Sequence, residues 1–460
     1  NINNDKIINN NIKKKLNNAF KIMNNSKIDD ILMYIICLLP ILLITGPFLP
    51  DLMVSLICLY FIFFLSKKKR KELIYNKYIY FFLLFYVVLI LSSLLSDYKL
   101  LSLKTSVAYI RFGTLILIIA YLITVKKNIL NLFFYILVFL FILLFIDSLF
   151  QKIFGENIFG FAHPIHRITS FFGKDIKLGG YVARLTPLII ALAVYNKVRF
   201  FNIIVLLTIS LLITGISGER TAFGMIVLFT IGFVIFSKTD FKNKILLLLS
   251  PFLIFTILVF SSQTIKYRVL TSTLNQLNFN QQKPFFYETK IKNNIVLLHR
   301  DSTFFPRVYH MYFHTAKKIF FDNPILGSGP RTYQFKSRDY KYYTVSNHAA
   351  LEEKMKKENK IINYPGYTNI SGANNHPHNT YLQLLSETGL IGTTLILLVL
   401  VFGLVKLFMI KSLYHQTIIL GLIINLNPFM FSGNFFNNWL SILYFLPLGF
   451  LFLRVDDKRY

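Results

Sequence analysis

Apolar runs long enough to cross a hydrocarbon layer recur along the chain from residue 31 to residue 453, with short polar connections between them. A helix needs about 20 residues to span a layer of roughly 30 Å, and it satisfies every backbone N–H and C=O inside its own segment, as lipid demands. The pattern predicts helices over residues 31–46, 52–66, 78–95, 105–125, 129–150, 179–195, 202–215, 221–237, 245–262, 387–410, 416–432 and 439–453. One connection breaks the rhythm: residues 263–386 are long and largely polar. No internal repeat is visible.

Composition agrees with that pattern. In 460 residues, 54% are hydrophobic, with 48 Phe, 26 Tyr and a mean hydropathy of +0.54, which excludes a soluble enzyme with one or two cores. The expected class is an all-α polytopic membrane protein with about twelve transmembrane helices and one large, partly helical outer loop. Lys and Arg number 50 against 21 Asp and Glu. In a soluble chain such a surplus would suggest nucleic acid, but here it is first a topological signal, and no nucleic-acid partner is expected. With the N-terminus inside, the inside segments hold 24 Lys and Arg and the short outside loops seven. Both termini are therefore expected on the cytoplasmic side. The long connection carries 17 more, but long loops translocate largely regardless of charge. The expected organisation is a cytoplasmic segment 1–30, helices over 31–262, the outer loop 263–386, helices over 387–453 and a cytoplasmic tail 454–460. Cys37 and Cys58 both fall in predicted spans and support no disulfide framework. The polar segment before residue 31 leads into a full span without a small-residue cleavage site, so the first span is expected to act as its own insertion signal.

The outer connection opens with an Asn/Gln-rich piece, Asn275 to Lys283, and continues into a predicted helix from Pro306 to Phe321. Breaks follow at Asn323-Pro324 and at the turn Gly327 to Pro330, and Leu351 to Lys360 reads as a solvated helix face. It ends on NNHPHNTYLQLLSETGLIG, Asn374 to Gly392, where two imidazoles flank Pro377 just ahead of the tenth span. His310 and His314 share one face of the predicted loop helix, but Met-Tyr-Phe lies between them and no acidic or Cys ligand accompanies them, so two surface histidines are expected and no metal site.

His378-Asn379, nine further residues, Gly389, and then Gly392-Thr393 form an H-N-x9-G-x-x-G-T pattern that resembles the signature of the bacterial O-antigen ligase family, which includes O-antigen polymerases. Three other stretches are similar to that family in the same order: Arg167 to Pro187, Ser217 to Ala222 (SGERTA), and Pro306 to Gly329 (PRVYHMYFHTAKKIFFDNPILGSG). The resemblance implies a multi-pass protein of the bacterial inner membrane whose large loop and active site face the periplasm. The implied reaction moves a glycan from an undecaprenyl-pyrophosphate-linked donor to an acceptor hydroxyl, of lipid A core or of another glycan, among membrane lipids. It is metal-independent and uses no cofactor. Such a reaction needs cations at headgroup depth and a base for the acceptor hydroxyl.

On that resemblance His378, Arg220 and Arg307 are the catalytic candidates. Arg220 lies in a short connection at the outer interface, where a guanidinium can hold pyrophosphate oxygens bidentately; the plain alternative is a snorkelling arginine. Arg307 opens the loop helix, and its alternative is a solvated or salt-bridged arginine. A neutral imidazole at His378 can take the proton of the acceptor hydroxyl; a buried or capping histidine is the alternative. Because Pro377 favours an extended His376, the two rings are not expected to share a helical face, and His376 reads as a substrate contact. Asn379, Arg167, Arg184 and Arg111 complete the substrate-binding set, the last two lying inside predicted spans, where a structural ion pair is an equal reading. Glu219 is placed to orient Arg220, and Glu387 to cap the tenth span.

An O-antigen polymerase, with a second lipid-linked unit as acceptor, fits the same motifs. A transporter would place ionisable groups near the bilayer midplane, whereas these cluster at one face. The other large class of lipid-linked glycosyltransferases needs an acidic pair in its first outer loop, and Gly46 to Asp51 offers one carboxylate.

Overall fold

A computed structural model describes residues 27–65, 72–74, 79–162, 167–261, 263, 266–271, 287–291, 295–299, 307–339, 341–342, 344–345 and 372–454. The Asn/Gln-rich piece and the charged stretch Leu351 to Lys360 lie outside them.

Every predicted apolar segment overlaps a helix, although the one predicted over 416–432 ends as a helix at Asn425 and the one over 105–125 is divided at Tyr109. In order these are α1 (27–44), α2 (Phe48–Leu59, running into a π turn at Tyr60–Phe64), α3 (Ile79–Leu94), α4 (Lys99–Ala108), α5 (Ile110–Val125), α6 (Ile129–Phe154), α7 (Leu178–Tyr195), α8 (Phe200–Ser217), α9 (Arg220–Phe236) and α10 (Phe241–Ser261). After the outer segment come α13 (Thr380–Met409), α14 (Leu413–Asn425) and α15 (Asn438–Phe450). Five stretches, Lys99–Val125, α6, α7, α8 and α13, are long and apolar enough to cross a membrane, and α2 with its π turn, α3, α9, α14 and α15 are shorter apolar helices.

The long connection 263–386 holds α11 (Arg307–Asp322), within one residue of the predicted helix, and the single turn α12 (Tyr333–Lys336). It also adds a feature that no alternation in the sequence announced, a small sheet of β1 (Tyr287–Ile291), β2 (Ile295–His299) and β3 (Thr344–Val345). The first two strands pair antiparallel and the third joins β2 in parallel.

The bundle is organised around α7, which is enclosed by α6, α8, α9, α14 and α15. From Tyr181 to Val194 every residue of α7 is buried. Gly421 on α14 lets that helix close on the α7 proline, since a Cβ there would come within 2.3 Å of Pro187. Hydroxyls inside the bundle turn back on their own helices: Thr186, Thr208, Ser210, Thr214 and Thr230 each donate to a carbonyl four residues earlier. Outward positions stay apolar, as with Leu397, Leu398, Val401, Val405 and Phe408 along α13, the face that lipid requires.

Helix ends fix where the candidate residues fall. Gly218, with φ 70°, ends α8 in the left-handed conformation and leaves Glu219 as the one residue before α9 begins at Arg220. Gly155, with φ 85°, ends α6 in the same way. The loop that follows is tied back onto α6: Gln151 Oε1 accepts the N–H groups of Thr169 and Ser170, and Asp147, fully buried, accepts Ile158 N–H and the Ser170 hydroxyl. That bracing sets the position of Arg167.

Candidate active site

His378 has φ 56°, a left-handed conformation in which His and Asn are enriched among non-glycine residues. It turns the chain between the loop 372–377 and the start of α13. Its carbonyl accepts Ser432 N–H at 3.0 Å, and Thr380 Oγ1 donates to Ser432 Oγ at 2.8 Å, so the loop before α15 clasps the turn. The ring meets α11: it stacks on Tyr312 at 5.4 Å between centroids and takes Tyr309 edge-on at 5.3 Å. Tyr309 in turn stacks on Phe431 at 4.1 Å. Pro377 keeps the two histidines off a helix, yet their ring centroids are only 4.1 Å apart. Asn374 Nδ2 stands 3.1 Å from His378 Nε2.

Burial pushes His378 down to about 4, and it pushes His376 down to about 3, with the neighbouring His378 adding to burial and a backbone bond at Ser432 opposing it. Both rings are therefore uncharged at neutral pH. Burial raises the Tyr309 phenol, while Arg167 and Arg220 pull it the other way. One side chain thus lies against the His378 ring and within electrostatic reach of two of the expected cations.

Arg167 also lies within reach of a carboxylate, Glu219. Glu219 accepts Gly179 N–H at 2.7 Å and Gly180 N–H at 3.1 Å, two of the unsatisfied donors of the first turn of α7. Gly179 makes room for this approach, because a Cβ there would come 2.6 Å from Ser217 Oγ and 3.0 Å from Glu219 Cβ, whereas one at Gly180 would meet only the ends of the Arg184 and Glu219 side chains. Arg184, one turn further, donates from Nη1 to Gly180 O at 2.8 Å and lies over the Tyr444 ring at 5.9 Å, and its buried Nε has no hydrogen-bond partner among the described residues. Burial raises the Glu219 carboxyl, opposed first by the two N–H groups and then by Arg184 and Arg167. The hydrogen bonds of Glu219 therefore go to α7 rather than orienting Arg220, which is exposed at the start of α9.

Other sequence candidates fall elsewhere. Arg111 forms an ion pair with Asp51 at 2.8 Å, reaches Ser55 Oγ at 3.4 Å and lies over Phe112, so its charge is taken up inside the bundle. The Asn379 side chain caps α13: its oxygen accepts Tyr381 and Leu382 N–H, both at 3.0 Å, and its nitrogen donates to Pro428 O at 2.7 Å. Arg307 begins α11, and its side chain lies outside the described residues, as does that of His310. Among the described residues no three of His, Cys, Asp and Glu are grouped as metal ligands.

Glu387 corrects another expectation. It does not cap a helix end but lies fully buried inside α13, where it accepts Tyr333 N–H at 2.8 Å and the Gln383 amide at 2.9 Å. Two residues on, Gly389 leaves helical geometry with φ 64° and ψ −162°. The Asn323 to Gly329 segment lies in that break: Leu390 N–H donates to Pro324 O at 2.8 Å, and Ser328 and Gly329 N–H donate to the carbonyls of Ser386 and Glu387, both at 2.9 Å. A Cβ at Gly327 or Gly389 would come within 2.5 Å of backbone atoms of the opposite strand of chain. The two glycine motifs are therefore a seam that docks the outer loop, next to the site rather than in it. Tyr309, Tyr312 and Asn374 were not singled out in the sequence. The only signal for the tyrosines was their i, i+3 spacing on the helix that Arg307 opens.

A sequence model of the family described as O-Antigen ligase matches residues 203–397. That span runs from α8 through the outer loop into α13; it includes Arg220, Arg307 and His378 and leaves Arg111, Arg167 and Arg184 outside. No curated protein and no solved structure matches the chain. The match supports the O-antigen ligase family for residues 203–397 of this helical membrane protein.

Proposed function

We propose that the protein transfers a glycan from undecaprenyl pyrophosphate to an acceptor hydroxyl, that of lipid A core oligosaccharide, at the periplasmic face of the inner membrane, with twelve spans and both termini in the cytoplasm. The observation that carries this reading is the position of Tyr309, against the His378 ring and within the field of Arg167 and Arg220. An uncharged imidazole and two guanidiniums thus act on one tyrosine, which supports a pairing of base and cations of the kind that glycosyl transfer from a pyrophosphate requires.

In this reading Arg220 and Arg307, helped by Arg167 and Arg184, neutralise the pyrophosphate oxygens, a task suited to the planar guanidinium. His378 accepts the hydroxyl proton as the oxygen attacks the anomeric carbon. The bond from that carbon to the pyrophosphate breaks, and the lipid pyrophosphate leaves with the electron pair. Attack opposite the leaving group inverts the anomeric centre. His376 is at hand to contact the sugar.

The test uses membranes containing the full chain, undecaprenyl-pyrophosphate-linked glycan and lipid A core acceptor. His378→Ala and Arg220→Ala are each expected to lower transfer by about 10²- to 10⁴-fold at unchanged protein level. Transfer at the unmutated rate by His378→Ala would remove the base from this account.

A further inference from the structure

Asn374 is the side chain that reaches a ring nitrogen of His378, and its own orientation is fixed. Its Oδ1 accepts Asn375 N–H at 2.7 Å, so the group 3.1 Å from His378 Nε2 is the amide NH2. The backbone of Asn374 is clamped on both sides by Ser337, whose hydroxyl donates to Asn374 O at 3.1 Å and accepts from Asn374 N at 3.3 Å. Ser337 is buried and directly follows α12, where Lys336 is paired with Asp97 at 2.7 Å. The amide is therefore held by the docked outer loop, not by the imidazole it faces.

An N–H donor can approach Nε2 only if that nitrogen carries a lone pair, which leaves the ring proton on Nδ1. We infer that Asn374 is a positioning residue that sets the tautomer of His378, making Nε2 the basic nitrogen, and that its amide marks the place where the acceptor hydroxyl binds. The inference rests on His378 acting as the base. When the hydroxyl arrives it gives its hydrogen to Nε2 and receives the Asn374 N–H on its oxygen, so one amide both frees the lone pair and holds the attacking oxygen. As the oxygen bonds to the anomeric carbon its proton passes to Nε2, giving an imidazolium with both nitrogens protonated, and the pyrophosphate departs with the electrons of the broken bond.

The groups that face the ring are Tyr309 and Tyr312 from α11 and His376 from its own loop, with Arg167 and Arg220 reaching it through Tyr309. The Tyr312 phenol is hydrogen-bonded to Asn374 as well, and burial favours the uncharged ring. A carboxylate in place of the amide reverses the sign of the contact: it accepts a proton from Nε2, moves the lone pair away from the acceptor and favours the imidazolium.

The experiment combines the pH profile of transfer with a 15N NMR titration of histidine-labelled protein, for the unmutated chain, Asn374→Asp and Asn374→Ala. Asn374→Asp is expected to lose about 10²-fold in transfer near pH 7, to regain part of it as pH rises, and to show His378 protonated at Nε2. Asn374→Ala, which removes the donor without adding charge, is expected to lose less and to move the acidic limb upward by a smaller step. If both variants lower transfer equally at every pH while the His378 titration stays where it was, Asn374 is only structural and the inference fails. If the titration moves as expected but His378→Ala still transfers glycan, the tautomer control stands and the base reading falls. The titration also needs no active enzyme, so a variant with poor turnover remains readable.

Discussion

Glu219 and Glu387 are both carboxylates that accept backbone N–H groups from a distant part of the chain, and each lies beside one half of the candidate site. Glu387 is fully buried; its hydrogen-bond donors are the backbone N–H groups of Tyr333 and Arg331 and the Gln383 amide, with Arg331 the one arginine near it. Glu219 is only partly buried, and it answers to two arginines as well as two N–H groups. The first fastens the outer loop to α13, which brings α11 and its tyrosines over His378. The second fastens the α8–α9 corner to the start of α7, which gathers Arg167 and Arg184 beside Arg220. One carboxylate therefore serves the fold of the base side, and the other also sets the charge of the cation side.

Removing each should separate these roles. Glu387→Ala leaves the Tyr333 N–H and one Gln383 donor buried without an acceptor, besides a cavity, and is expected to destabilise the protein by about 2–4 kcal/mol, read as thermal unfolding in detergent. A variant that unfolds within about 0.5 kcal/mol of the unmutated chain would show that Glu387 is no latch. Glu219→Ala exposes N–H donors at a helix N-terminus that water can reach, so its cost in stability is expected to be smaller, about 1 kcal/mol. Its cost in transfer is expected to be large, about 10²-fold, because Arg184 and Arg167 lose the carboxylate that offsets their charge. Equal losses of stability in the two variants would erase the distinction.

How much of this was legible in the sequence follows from the range of the forces involved. The helices of the bundle were read from apolar run length alone, since lipid leaves the backbone no other local solution. Arg220, Arg307 and His378 were reached through resemblance, and the physical reasons for their types came with it. Tyr309, Tyr312 and Asn374 were not, because their contacts depend on how the outer loop folds back on α13, a matter of backbone fit at Gly327 and Gly389 rather than of pattern. Glu387 was misread for the same reason: four residues separate it from Gln383, as on any helix, but its main partner is the N–H of Tyr333, on the other side of the seam. The sheet of the outer segment left no trace that the apolar pattern could reveal.

The base side carries a pH dependence opposite in sign to that of Glu219, whose carboxyl burial raises. His378 and His376 are lowered from 6.5 to about 4 and about 3, so the folded state resists protonation that the unfolded chain accepts. Their contribution to stability is thus fully present above pH 6.5 and is lost as pH falls through that value toward 4. The melting temperature is expected to drop across that window, and His376→Leu to remove part of the slope. The acidic limb of transfer is expected near pH 4 rather than near 6.5; a limb at 6.5 would mean that the ring is solvated in the working enzyme.

The smallest effect is expected at Arg111, the intramembrane arginine that the structure does not bring to the site. Its partner Asp51 stands 2.8 Å away, with the Ser55 hydroxyl at 3.4 Å, so the charge is met inside the bundle. Arg111→Leu alone leaves Asp51 partly buried without its cation and is expected to destabilise the protein while leaving transfer per folded molecule within about twofold. Arg111→Leu combined with Asp51→Asn removes both charges and is expected to recover most of that stability, since replacing a buried pair by neutral groups is often close to neutral. The same double replacement cannot rescue Arg184, whose nearby carboxylate is Glu219. If Arg111→Leu instead lowers transfer by tenfold or more with stability intact, Arg111 acts on the substrate, and the two intramembrane arginines belong to one cation cluster rather than to a structural pair and a site.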